Sequence, residues 1–307
     1  MNKKGDITST QIVVIIVLIV SFLVILYFFY LLYFNSSIVD KESCHTSVIA
    51  KATLPEPRGV RLGDFSLACK TEKVCITTKS LVDGNCRGEL GKSYITERVS
   101  KNSKENNREI NSILADKMAE CWAMMGEGKI SVFSRELLSG EDELKCVICS
   151  RISFDRDSVN EGKIPAKVYG LVEYMLTHKI LDRDVSYYEF LIGGNPNFYD
   201  DNIRGRDFIK ANELAVVFYE GRSNLLLNVI IPTAGITSAT IAGAYFGSFI
   251  PGVGTVLGAA FGSIFGSVVS IIIPTDGEGE ITRGIILMDY NVESLKKIKC
   301  TTFENIP

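Results

Sequence analysis

Residues 144–154 read LKCVICSRISF, and two folded forms are open to them. A redox Cys-x-x-Cys pair belongs at a helix N-terminus, where the dipole lowers the thiol pKa. Here the flanks alternate instead: Leu144, Cys146, Ile148, Ile152 and Phe154 fall on one face of a strand. Successive strand residues point to opposite faces, so Cys146 and Cys149, three apart, point away from each other. A bond between them, or redox cycling, is then awkward. A zinc site lacks its second half, because the chain has only two histidines, His45 and His178. Structural disulfides to other cysteines are the expectation.

Working outward, the partners on offer are Cys44, Cys69, Cys75, Cys86, Cys121 and Cys300. An even total of eight fits an oxidising compartment, and spacing alone does not sort the pairs. Either side of the strand, periodicity supplies the rest of a mixed fold. Short strands are expected over residues 61–86, bounded by Gly63 and the Asp83-Gly84-Asn85 turn. Ile110, Ile113, Leu114, Met118, Cys121, Trp122 and Met125 recur at helical spacing, and Gly126 supplies a stop. A second helix is expected from Pro165, with Val168, Leu171, Val172, Met175 and Leu176 on its apolar face and His178 at its C-terminal dipole. Glu213–Tyr219 (ELAVVFY) and Gly284–Tyr290 (GIILMDY) read as strands able to pair with each other. The resulting class is a disulfide-bonded α+β domain.

Two stretches account for the positive mean hydropathy of +0.18. No charge occurs from Ile7 to Val39, and none from Ser223 to Thr275. Ile12 to Phe34 is long enough to cross a hydrocarbon layer of roughly 30 Å, and Tyr27, Tyr30 and Tyr33 suit its interface. Its length and its Tyr-Phe-Asn end favour an uncleaved signal anchor over a cleaved signal peptide. Lys3 and Lys4 before it, with Asp40 the first charge after it, put the N-terminus in the cytoplasm. Lys3-Lys4-Gly5 ahead of a long apolar helix resembles the class III signal peptides of archaeal pilins and archaellins, although Thr10 stands where that pattern has glutamate. The resemblance implies a filament subunit cut after Gly5.

The second stretch carries Gly243, Gly247, Gly254, Gly258, Gly262 and Gly266, largely at every fourth position. Residues four apart share a helix face, and such small faces let helices approach closely in lipid. Pro251-Gly252 divides the stretch into Thr233–Ile250 and Val253–Ile273. It resembles the glycine-zipper hairpin of membrane-inserting toxins and small oligomeric membrane proteins, which implies helix packing or insertion. The competing form is a hairpin buried in a soluble core. The turn, uncharged throughout, leaves open whether the hairpin spans, dips or inserts conditionally.

The expected organisation is 1–11 cytoplasmic, 12–34 transmembrane, 35–60 juxtamembrane linker, 61–228 extracytoplasmic α+β domain, 229–274 glycine-rich hairpin, and 275–307 completing the domain. Asp155, Asp157, Asp182, Asp184, Asp200 and Asp201 lie beside Arg156, Arg183 and Arg204, and solvated ion pairs are expected there. No nucleophile elbow, phosphate loop, dinucleotide fingerprint or metalloprotease helix occurs in the sequence. No catalytic residue, metal or cofactor is therefore expected. A net charge of −3 and a pI near 5.6 argue against nucleic acid as a partner. The partners expected are the lipid bilayer and a second copy or another membrane protein. The expected role is a membrane-anchored surface or interaction protein without enzymatic activity. The alternatives are a pore-forming or fusogenic protein and a pilin-like filament subunit.

Overall fold

The computed structural model describes residues 9–34, 36–53, 67–80, 84–91, 93–133, 144–181, 183–192, 208–222, 269–273, 281–297 and 300–304. Helix α1 (Ser9–Phe34) contains the one stretch among them long and apolar enough to cross a membrane, Ile12–Tyr30, and its side chains are exposed. The single serine of Ile12–Tyr30 is spent internally, with Ser21 Oγ donating to the Val17 carbonyl at 2.8 Å. Helix α2 (Ser36–Thr53) follows after Asn35 alone. The stretch expected as a linker is thus largely helical, and it is docked, with Cys44 and Val48 buried.

The domain is built on a seven-stranded mixed sheet. Its strands are β1 (Glu72–Thr77), β2 (Ile95–Arg98), β3 (Leu144–Phe154), β6 (Leu214–Arg222), β7 (Val269–Ile273), β8 (Ile281–Asp289) and β9 (Cys300–Glu304). The order is β2-β1-β3-β6-β8-β7, with β9 beside the first half of β3. Strands β1, β2, β3 and β9 run parallel, whereas β6 runs antiparallel to both β3 and β8. Tyr219 stands opposite Gly284, so the two runs read as strands pair with each other. Strands β4 (Lys167–Tyr169) and β5 (Phe208–Lys210) form a separate antiparallel pair.

Helix α4 (Ser103–Met124) makes the crossover from β2 to β3 and lays Ile110, Leu114, Met118, Cys121 and Trp122 on one face of the sheet. The stop falls where expected, with Gly126 at φ +79, a left-handed conformation that glycine adopts without cost. The remaining helices are short: α3 (Arg87–Leu90), α5 (Arg156–Asn160), α6 (Leu171–Thr177), α7 (Tyr187–Ile192) and α8 (Val292–Lys297).

Three expectations need correction. The single face of β3 is broken by a bulge at Cys149, between Ile148 opposite Val217 and Ser150 opposite Val216. The extra residue reverses the alternation, so Ile152 and Phe154 lie with Val147 and Cys149 in the α4 core. Leu144, Cys146 and Ile148 face the other way. The second helix begins at Leu171, not Pro165, because Gly170 at φ +82 ends β4 and turns the chain; Val168 is a strand residue. Finally, Val269–Ile273, expected as the end of the second hairpin helix, is strand β7 paired with β8. Backbone hydrogen bonding to β8 outcompetes a helix whose length depended on those residues. Gly243, Gly247, Pro251, Gly252, Gly254, Gly258, Gly262 and Gly266 lie outside the described residues, as do Asp182, Asp200, Asp201 and Arg204.

All eight cysteines stand in pairs at disulfide distance: Cys44–Cys69, Cys75–Cys86, Cys121–Cys149 and Cys146–Cys300. Cys146 and Cys149 do point to opposite faces, one toward β9 and the other toward α4. Because β8 and β9 share a sheet with β1, β3 and β6, residues 281–297 and 300–304 belong to the same domain.

Candidate functional site: the junction of helix α2 and the domain

The most developed polar constellation joins α2, which continues from the apolar helix, to the domain. Lys41 of α2 lies 3.1 Å from Glu72 at the start of β1 and 2.7 Å from Glu120 on α4. Lys117, one turn earlier on α4, lies 2.7 Å from the same Glu72 and 3.0 Å from the same Glu120. Two cations and two anions therefore form a closed neutral square. The Lys117 side chain is 9% exposed and that of Glu72 12%, so water screens this half weakly. Burial disfavours the Lys117 charge, but Glu72 and Glu120 outweigh it and hold the ammonium well above its ordinary pKa. Burial likewise acts to raise Glu120, yet Lys117 and Lys41 prevail and keep it below the ordinary carboxylate range.

Further ties run along α2. Cys44 is bridged to Cys69, the Ala68 amide donates to Ser47 Oγ at 3.0 Å, and Lys70 pairs with Asp40 at 2.9 Å. His45 Nδ1 meets the Met124 carbonyl, one of those a helix leaves unsatisfied at its C-terminus, at 3.2 Å. Lys51 lies over the Phe133 ring at 5.7 Å. Every turn of α2 from Asp40 onward thus has a partner in the domain.

Two carboxylates, Asp155 and Glu220, are buried, and each is occupied by the protein itself. Asp155 follows β3 at the carboxyl ends of the parallel strands, where open sheets place ligands. It is buried, unlike the solvated pair expected there. One oxygen accepts from the Asn85 amide at 3.0 Å and the Asp157 amide at 3.3 Å; the other accepts from Thr77 Oγ1 at 2.8 Å and Ser158 Oγ at 2.7 Å. Burial alone would raise its pKa, but these donors hold it below the ordinary range. Asp157 pairs with Lys79, Arg156 with Glu89, Asp184 with Lys179, and Arg183 with Glu127. Glu220, wholly buried on β6, accepts from Ser131 Oγ, from the Val132 and Phe133 amides at 2.9 and 3.2 Å, and from Arg283 Nε at 3.0 Å. These arrangements fasten loops to strand ends.

His178 caps α6, its Nδ1 3.1 Å from the Tyr174 carbonyl and its ring stacked on Tyr174 at 3.9 Å. Among the described residues no group of three or more His, Cys, Asp or Glu side chains is placed to hold a metal ion. The sequence reading missed Lys41, Glu72, Lys117 and Glu120, and it expected Asp155 in a solvated ion pair rather than buried. One signal was available, because Lys117 falls between Leu114 and Met118 on the apolar face of α4, where an unpaired lysine would be costly. Comparison with protein-family models, curated proteins and solved structures finds no match.

Proposed function

We propose that the protein is a membrane-anchored extracytoplasmic interaction module, with its N-terminus in the cytoplasm and its domain held close against the bilayer. The clamp on α2 carries this reading. Lys41, tied to Glu72 and Glu120, lies only seven residues beyond Phe34 at the end of α1. Seven residues reach about 10 Å as helix and at most about 25 Å extended. A free tether over residues 35–60 would let the domain roam, and a clamped α2 does not. Partners are then met at the membrane surface, as a second copy or another membrane protein. The four disulfides favour an oxidising compartment for the domain. Binding rather than catalysis is favoured because Asp155 and Glu220 are satisfied by their own neighbours. The pore-forming alternative loses Val269–Ile273 from the second half of its hairpin, because those residues pair with β8 as strand β7.

The test uses the full chain in its host membrane. It should resist alkaline extraction, lose its domain to protease added outside intact cells, and migrate in mild detergent well above its own 33.9 kDa. Extraction at alkaline pH, protection from external protease, or a purely monomeric species would each count against the proposal.

A further inference from the structure

We infer that the β4–β5 ribbon is a lipid-contacting surface, whose face carrying Lys167, Tyr169 and Lys210 rests on anionic phospholipid headgroups beside the anchor. It rests on the proposed anchoring role and names the face of the domain that meets the bilayer. The first ground is the course of two helices. Lys41 of α2 meets Glu120 of α4, and His45 meets Met124, each pair 79 apart in sequence. The two helices therefore run parallel at a constant offset, and Ser36, the first residue of α2, is level with Ala115. Helix α4 begins twelve residues before that level, at Ser103, which is about 18 Å at helical rise.

Helix α2 starts two residues beyond Phe34, at most about 7 Å from the end of the apolar helix. As α2 leads away from the bilayer, about three turns of α4 project back past that exit and toward the bilayer. The ribbon lies along this overhang. Asn106 Nδ2 donates to the Lys163 carbonyl and Asn111 Nδ2 to the Tyr169 carbonyl, both at 2.8 Å, which lays residues 163–169 against the first turns of α4. At the opposite end of α4, Arg183 pairs with Glu127 at 2.9 Å, and Leu181 close to it in the chain is 83% exposed.

The second ground is the make-up of the ribbon's two faces. Val168 and Ile209 stand opposite each other and are buried, at 0% and 2% exposure. Their neighbours point the other way. Lys167 stands opposite Lys210, both are exposed, and Tyr169 is 44% exposed. Like charges directly opposite each other oppose strand pairing, and a layer of negative headgroups offsets that repulsion. Glu161 pairs with Lys163, so it does not cancel the patch. An exposed tyrosine beside two lysines suits the membrane–water boundary, where the ring is buried and the hydroxyl stays wet. Tyr27 and Tyr30 mark the same boundary near the end of α1.

Single-thiol labelling of the full chain tests the contact, since the native cysteines are paired and an added one is unique. Tyr169→Cys, Leu181→Cys and Val20→Cys, each carrying a fluorophore, are reconstituted in phosphatidylcholine vesicles with and without phosphatidylglycerol. A nitroxide on the lipid headgroup should quench residue 169 and not residue 181, and more strongly where phosphatidylglycerol is present. Lys167→Gln combined with Lys210→Gln should lower the docked-to-undocked ratio at residue 169 about thirtyfold in the anionic vesicles, and little in the neutral ones. Quenching at residue 169 no greater than at residue 181 overturns the inference. So does a double variant indistinguishable from the native chain in the anionic vesicles. Val20→Cys, exposed on the apolar helix, is read with a nitroxide in the acyl chains. Residue 20 quenched with residue 169 unquenched overturns the ribbon contact alone, whereas residue 20 unquenched overturns the anchoring role and the contact with it.

Discussion

Replacing Lys117 by methionine removes the least exposed cation of the α2 clamp while keeping length and helix propensity. In the native protein its ammonium bridges Glu72 at 2.7 Å and Glu120 at 3.0 Å. The variant leaves two carboxylates sharing Lys41, the one cation that remains in the square. Breaking a buried pair by deleting one partner costs about 3–5 kcal/mol. Lys41 remains, and Glu120 is 36% exposed to water, so the cost falls to the bottom of that range or just below it, about 2–3 kcal/mol. For a domain of this size that lowers Tm by roughly 4–12 °C. Trp122, the one tryptophan of the chain, is buried on the same helix, and its fluorescence reports the melt in detergent-solubilised full chain. Combining Lys117→Met with Glu72→Gln removes both charges and should restore most of the loss, with a coupling of about 1–3 kcal/mol. The pH dependence follows from the directions of the shifts. A raised Lys117 pKa gives stability fully present below about 10.4 and lost only as pH climbs through the higher folded value. A depressed Glu120 pKa gives stability present above about 4.3 and lost as pH falls through the lower folded value. The difference between native and variant should therefore be flat from about pH 6 to 9 and shrink in acid. A variant melting within about 1 °C of the native protein, or a double variant no better than additive, would refute a clamp made of charges.

Two further outcomes are expected. Replacing Cys44 and Cys69 together by alanine opens a loop with sequence separation 25 and should cost about 3 kcal/mol. The ion pairs keep α2 docked, so limited proteolysis between residues 36 and 53 should quicken without unfolding the sheet. Asp155→Asn leaves donors facing an amide nitrogen and should cost about 2–4 kcal/mol at neutral pH. Because the native carboxyl titrates below its ordinary value, that difference is present above about pH 3.9 and disappears as pH falls through the folded pKa, measurable as convergence of the two urea midpoints.

Composition and period alone determined α1, the core face of α4, the pairing partners β6 and β8, and the opposed directions of Cys146 and Cys149. Each of those rests on properties local to one segment: a run of apolar residues, a repeat of 3.6 or of two. The partner of each cysteine, the docking of α2, the burial of Asp155 and the bulge at Cys149 were decided only by tertiary structure. Each depends on residues far apart in sequence, such as Lys41 meeting Glu120 or Thr77 meeting Asp155. Val269–Ile273 marks the boundary between the two. The run VSIII is as apolar at the end of a lipid-facing helix as in a sheet, and its own residues do not choose. The choice was made by β8, whose free backbone edge, from Arg283 to Leu287, supplies the hydrogen bonds that hold it as a strand.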